Sequence, residues 1–252
     1  MSAPAWPRPQ WRDSGAHAFV LWFVFGDFDP DLSIDAVRYR TRGTPAGVSV
    51  VRYVNRELAR WDGYPLAGTL GRLLWEENAP LFEKAQGARE CVMLRGEIAD
   101  PADLDALRDL VGTIAALNDA GGIAVVDPQT LSLFAAADWR ARFFAADRFN
   151  ARDHVLILCG EDDRNEGRMH VHTRGLRKFA RPDLSVRNVP PAAADAAGAM
   201  TQQFAEFACA GGLVEDGHEV ALEDAPPLRA RLAGSDDDPE FNNVHLAMRW
   251  PD

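Results

Sequence analysis

Two histidines separated by one residue, His170 and His172, have the residue type and the spacing that metal binding requires. They lie in the alternating stretch 168–173, which predicts a β-strand. Residues two apart on a strand point to the same face, so both imidazoles can approach one ion. Because zinc takes three or four protein ligands, we expect another from the facing strand or loop, such as His154 or Asp163. The pair predicts a metal-assisted hydrolase with zinc as its cofactor.

A group of basic side chains follows the two histidines and offers a second interpretation. The group comprises Arg174, Arg177, Lys178 and Arg181. In a chain of formal net charge −11, it indicates a site for a partner or a small anion, because guanidinium groups bind carboxylates and phosphates. A third interpretation is structural: the histidines pair with nearby carboxylates, and the arginines bridge to the acidic loop 161–163.

Motifs that would identify a common enzyme class are missing from the sequence. It contains no GxxxxGK[ST], GxGxxG, GxSxG or HExxH pattern. We therefore favour a non-catalytic protein-binding or accessory protein, with a toxin-neutralising immunity protein as one form of it. The acidic surface would speed association with a basic protein partner and disfavours general nucleic-acid binding.

The apolar runs and the cysteines predict a cytoplasmic protein. The longest apolar run, 18–25, is much shorter than the roughly twenty residues of a membrane span. Cys91, Cys159 and Cys209 lie in apolar or alanine-rich stretches, and no CxxC pair is present. We expect reduced, buried thiols and hence a reducing compartment.

Strand and helix patterns alternate along the chain and predict an α+β fold. We expect a mixed or antiparallel sheet with helices packed on it. Four expectations matter below: a helix from Val50 to Trp61, a helix begun by Asp100 as N-cap, a turn opened by Asp127-Pro128 that leads into a helix through Ala145, and a strand from His154 to Cys159.

The sequence also predicts three segments. Residues 1–16, rich in proline, form an extended segment. Residues 17–149 and 150–252 form two α+β halves, which resemble each other in element order and which we expect to make one compact unit.

The run from His172 to Leu184 resembles a signature, His-Thr-x-Gly-x-x-x-Phe-x-x-Pro-Asp/Glu, of a bacterial family of unknown function. Downstream, a helix, the turn at Gly217-His218 and a closing strand within 243–250 resemble the same family, so the likeness covers roughly residues 150–252. The resemblance implies an α+β fold, a bacterial cytoplasmic setting and no established cofactor. It assigns no activity and no site residue, and some similar small acidic proteins act as immunity proteins.

Overall fold

A computed structural model describes residues 5–29, 33–145, 149–221 and 226–252. Contacts divide the chain into two units. The first unit takes in residues 1–7, 19–98 and 103–149, and the second takes in residues 8–18, 99–102 and 150–252.

The predicted α+β class is confirmed, because helices pack on one mainly antiparallel and one mixed sheet. The strands are β1 His17–Gly26, β2 Val48–Val54, β3 Glu90–Ala99, β4 Gly122–Asp127, β5 Ser132–Ala135, β6 Leu156–Glu161, β7 Met169–Arg174, β8 Asp183–Val189, β9 Glu219–Val220, β10 Leu228–Arg229, β11 Arg231–Ala233 and β12 His245–Arg249. The α-helices are α1 Asn55–Leu58, α2 Gly68–Gly87, α3 Asp105–Asp119, α4 Ala136–Trp139, α5 Ala151–His154 and α6 Ala194–Cys209. A π-helix spans Arg140–Phe144, and 3₁₀ turns span Leu176–Phe179 and Pro191–Ala193.

The first unit is built on a five-stranded sheet in the order β2-β3-β1-β4-β5. Its central strand, β1, is almost entirely apolar and buried, as expected of a strand covered on both faces. A core cluster on this sheet includes Phe23, Phe25, Met93 and Leu74 of α2. β2 lies at the edge of the sheet, with Val50, Val51 and Val54 partly exposed.

The second unit is built on another five-stranded sheet, in the order β11-β12-β8-β7-β6. Only the β12–β8 pair is parallel, so the sheet is mixed. Helix α6 contacts β6, β7 and β8. Alternate residues of β7, β8 and β12 are apolar and buried, and the helix covers this face; the residues are Val171, Leu184, Val186, Leu246 and Met248. The intervening residues carry the polar groups described below.

The predicted helix from Val50 to Trp61 is wrong. Residues 48–54 form strand β2, and only the four-residue helix α1 follows. The valines of this segment fit both the helical and the strand spacing, so the pattern was ambiguous. The segment is a strand because it pairs along its whole length with β3, in antiparallel orientation. Asn55 stops the strand, since its buried amide donates to the carbonyls of Ala85, Gln86 and Ala88.

Asp100 does not cap a helix, because its carboxylate has other partners within the second unit. Arg8 and Arg181 each donate to it at 2.7 Å, and Ser14 donates through its amide and its hydroxyl. Burial raises the pKa of Asp100, but these hydrogen bonds outweigh it and hold the pKa below its usual value. Helix α3 begins five residues later, at Asp105.

Two further predicted elements are corrected. Strand β5 intervenes after Asp127, so the helical part is reduced to α4 and the π-helix, and residues 146–148 lie outside the described ones. His154 ends helix α5, and the strand begins at Leu156. Cys159 of this strand is exposed, contrary to the prediction, whereas Cys91 and Cys209 are buried as predicted.

Among the described residues, no helix has both the length and the apolar composition needed to cross a bilayer.

Candidate metal centre

Strand β7 brings His170 and His172 to the same face of the second sheet, as their spacing predicts. Ser185 of β8 lies directly opposite His172, and its hydroxyl oxygen is 2.9 Å from Nε2 of His170. Arg187 follows two residues later on β8, so it shares that face. The face opposite to helix α6 therefore carries histidine, serine and arginine side chains.

The third potential ligand is Glu240, in the segment between β11 and β12. One ligand atom each from His170, His172 and Glu240 lie within 4.8 Å of one another. Nδ1 of His170 is 3.3 Å from the Glu240 carboxylate. This corrects the expected third ligand, because neither His154 nor Asp163 belongs to the group that the described residues form. His154 instead packs edge-on against Phe179.

The rings of the histidine pair are stacked, with centroids 4.4 Å apart and planes 22° from parallel. The lone pair of an imidazole nitrogen lies in the ring plane, so at least one ring must turn before both can face one ion. Ligand atoms around zinc lie about 3–3.5 Å apart, since the metal–ligand bonds are about 2.0–2.2 Å. Binding therefore requires the three side chains to close by about an ångström.

Both histidines are neutral at pH 7, which is the form that binds metals. Burial, with the nearby His172 ring and Arg187, lowers the pKa of His170 to about 3. Burial, with Arg174 and Arg187, lowers the pKa of His172 to about 4. Nδ1 of His172 is buried and has no hydrogen-bond partner among the residues that the structure describes. An unpartnered buried nitrogen is costly, and a bound cation would satisfy it.

Arg187 links Glu240 to the acidic loop between β6 and β7. Its Nη1 donates to Asp162 at 2.7 Å and to Asp163 at 2.6 Å, and its Nη2 donates to Glu240 at 3.2 Å. Burial raises the pKa of Asp162, but hydrogen bonds led by the Asn188 amide outweigh it and hold the pKa well below its usual range. The carboxylate anchoring Arg187 thus stays ionised.

Glycine at position 160 leaves no side chain on the side of the site that faces β6. Gly160 pairs with His170 across the strands, and a β-carbon placed on Gly160 would meet no atom of the described residues within 4 Å. On another side, the Phe241 ring lies 5.4 Å from the His172 ring and stacks on His245 at 4.2 Å. His170 itself is buried, at 5% exposure, whereas His172 is partly exposed.

The predicted basic site is arranged differently from the expectation. Arg174, Lys178 and Arg181 are buried, with exposed fractions of 5, 2 and 2%. Lys178 donates to the carbonyl of His154, and Arg181 donates to Asp100 and to the carbonyls of Arg12, Gly211 and Gly212. Arg177 pairs with Asp236 and donates to the carbonyl of Asn242. Arg177, Lys178 and Arg181 thus bind parts of the second unit itself, and Arg174 is buried, so the four side chains present no common surface to an anion.

The chain matches no protein-family model, no curated protein and no solved structure. The predicted resemblance to a bacterial family of unknown function therefore stays a prediction. The functional interpretation depends on the geometry of the site alone.

The sequence indicated His170 and His172 but not Glu240, Ser185 or Arg187. A strand periodicity identifies which neighbours in sequence share a face, and Ser185 and Arg187 have the same two-residue spacing on β8. The sequence near β7 and β8 does not show that these two strands are neighbours. The spacing of Ser185 and Arg187 therefore could not place them beside the histidines. Glu240 follows the acidic run 236–238 in a segment without regular structure, where no periodicity indicates its direction.

Proposed function

We propose that His170, His172 and Glu240 bind a divalent transition metal ion, and that the protein is a metal-assisted hydrolase. The convergence of two neutral imidazoles and one carboxylate within 4.8 Å carries this proposal. Two histidines and a glutamate are a ligand set of catalytic zinc sites, in which a position remains open for water or substrate. The residues fit a zinc ion also because a buried nitrogen of His172 has no hydrogen-bond partner within the described part of the chain.

A zinc ion held by these residues would supply Lewis-acid chemistry: it would polarise an oxygen of the substrate and lower the pKa of a bound water to about 7. The protein's part is to keep the imidazoles unprotonated and to hold the carboxylate beside them. Burial provides the first and Arg187 the second. Zinc suits this site better than magnesium or calcium, which prefer oxygen ligands.

The first prediction concerns zinc stoichiometry. Metal-free protein titrated with zinc against a chromophoric chelator should bind one ion per chain, and His170→Gln/His172→Gln should bind none at that site, because glutamine offers no imidazole lone pair. His218→Gln is the matched control, since His218 is exposed and does not belong to the group of potential ligands. Equal binding by the wild type and the double variant would contradict the proposed site.

Hydrolysis is measured separately, with activated carboxylate and phosphate esters as probes. The zinc-loaded wild type should turn over at least one class, and the activity should disappear with a chelator and in the double variant. Zinc binding without turnover of either class would keep the metal site and reject the hydrolase.

The alternative of a non-catalytic protein-binding or immunity protein stays a prediction, as do the bacterial origin and the cytoplasmic location. A small-anion sensor at the basic group is not proposed, because the side chains of that group bind the second unit internally.

A further inference from the structure

We propose that Ser185 and Arg187, two residues apart on β8, are positioning residues that orient two ligands of the metal, and that Nδ1 of His170 is the ligand atom of that histidine. The inference rests on the proposed metal site and assigns the roles of the residues around it. One strand thereby orients ligands from two other parts of the second unit: His170 of β7 and Glu240 of the segment before β12.

The two nitrogens of His170 face different groups, and this determines which one can reach the ion. Nε2 lies 2.9 Å from the hydroxyl oxygen of Ser185, whereas Nδ1 lies 3.3 Å from the carboxylate of Glu240. The carboxylate is itself a ligand, so Nδ1 is on the metal side. When Nδ1 binds the ion, the ring proton must be on Nε2, which then donates to Ser185.

Ser185 suits this role with and without the metal. A hydroxyl can donate to an unprotonated nitrogen or accept from a protonated one, so the same contact serves both tautomers of His170. Ser185 is almost completely buried, at 2% exposure, and water therefore does not readily replace its hydrogen bond. The contact holds the His170 ring at a fixed angle, so the His172 ring is the one that must turn towards an ion.

Arg187 performs the corresponding task for Glu240. The glutamate side chain is 38% exposed and lies on an irregular segment, whereas the Asp162 side chain at the other end of the arginine is completely buried. The Asp162 carboxylate is fixed by the amides of Asn188 and Arg164 and by the side chain of Asn165. Arg187 therefore links Glu240 to the fixed Asp162 carboxylate. Without this link the Glu240 side chain could turn into solvent.

The second prediction is a loss of zinc affinity without a loss of fold. Ser185→Ala and Arg187→Lys should each raise the Kd for zinc by about 10- to 100-fold, the usual effect of removing an outer contact of a metal ligand. Lysine keeps the charge but loses the fork that reaches two carboxylates at once. Matched controls are Ser235→Ala, an exposed serine, and Arg231→Lys, an exposed arginine of β11.

A nitrogen-15 spectrum of the histidine side chains separates positioning from a general structural effect. In the zinc-loaded wild type, Nδ1 of His170 should have the shift of a metal-bound nitrogen, and Nε2 should carry the proton. In zinc-loaded Ser185→Ala the Nε2 proton should exchange faster with water. The unfolding temperature of each metal-free variant shows whether its fold is intact.

The outcomes distinguish this inference from the proposed function. If the wild type binds no zinc, the metal site itself is rejected. If the wild type binds zinc but both variants bind it as tightly, or if Nε2 of His170 is the bound nitrogen, the positioning roles are rejected and the metal site stands. If a metal-free variant is unfolded, the nitrogen-15 spectrum of the wild type alone decides the ligand atom.

Discussion

Both ring nitrogens of His170 lie close to polar groups, whereas Nδ1 of His172 has no hydrogen-bond partner among the described residues. The difference has a simple cause. Ser185 and Glu240 both lie beside His170, and the rings of Phe241 and His170 lie against His172. At the scale of single residues, the site thus contains one histidine, His170, that its neighbours orient and another, His172, with an unbonded nitrogen. A metal ion bound to both would complete this arrangement.

Asp183 gives a third prediction, independent of the metal. Its side chain is fully buried, and burial raises its pKa to about 6 against hydrogen bonds from Asn243 and Thr173. A raised folded-state pKa means that the contribution of this group to stability is present below the unfolded value of 3.8. That contribution is lost as the pH rises through about 6.

The measurement compares the wild type with Asp183→Asn, which cannot ionise. The free energy of unfolding of the wild type minus that of the variant should fall by on the order of 2 kcal/mol between pH 4 and pH 7. Urea unfolding across that range gives this difference. Asp195→Asn, at an exposed position of α6, should show no such trend. A constant difference for Asp183→Asn would show that the carboxyl titrates normally.

At this scale, the sequence predicted the features that depend on neighbouring residues and missed those that depend on residues distant in the chain. The spacing of His170 and His172 is a local property, so it predicted their common face correctly. The burial of Arg174, Lys178 and Arg181 depends on acceptors distant in the chain, such as Asp100 and the carbonyl of His154. Composition suggested exposed charges because charged side chains are usually exposed, and only the fold shows that these have internal partners.

At the scale of elements, strand pairing determines the outcome wherever two periodicities compete. The apolar pattern of residues 48–54 fits a helix and a strand almost equally. Pairing with β3, whose residues lie far along the chain, makes this segment a strand. Strands β1, β3, β4 and β8 were predictable, since their apolar runs are bounded by turn residues. The short strands β10 and β11 have two and three residues, too few to show a period.

Glycine at two strand positions gives a fourth prediction. A β-carbon on Gly96 of β3 would collide with the carbonyl oxygen of Gly47, which is backbone and cannot move aside cheaply. Gly96→Ala should therefore destabilise the protein by about 1–3 kcal/mol. Gly160→Ala on β6 is the matched control, because the added methyl meets no atom within 4 Å, and its effect should stay within about 0.5 kcal/mol.

Chemical unfolding of the two glycine variants measures both effects. Equal stability of the two would contradict the close approach of β3 and the chain at Gly47.

At the scale of the whole molecule, the net charge of −11 attracts cations of every kind. Exposed carboxylates bind divalent ions weakly and with little preference, so charge alone would favour calcium or magnesium as readily as zinc. Selectivity must come from the two imidazoles of His170 and His172, which hard cations bind poorly. The composition therefore predicts that the protein attracts cations in general. The geometry of the sheet face that carries His170 and His172 predicts which cation it binds.

The most direct test of the metal site is anomalous diffraction from crystals grown with zinc, with data collected on both sides of the zinc absorption edge. The account predicts one strong peak about 2.0–2.2 Å from Nδ1 of His170, a nitrogen of His172 and a carboxylate oxygen of Glu240. Such a peak would also show the two rings turned out of their stack. Peaks found only at exposed carboxylates, with the histidine rings still stacked, would contradict it.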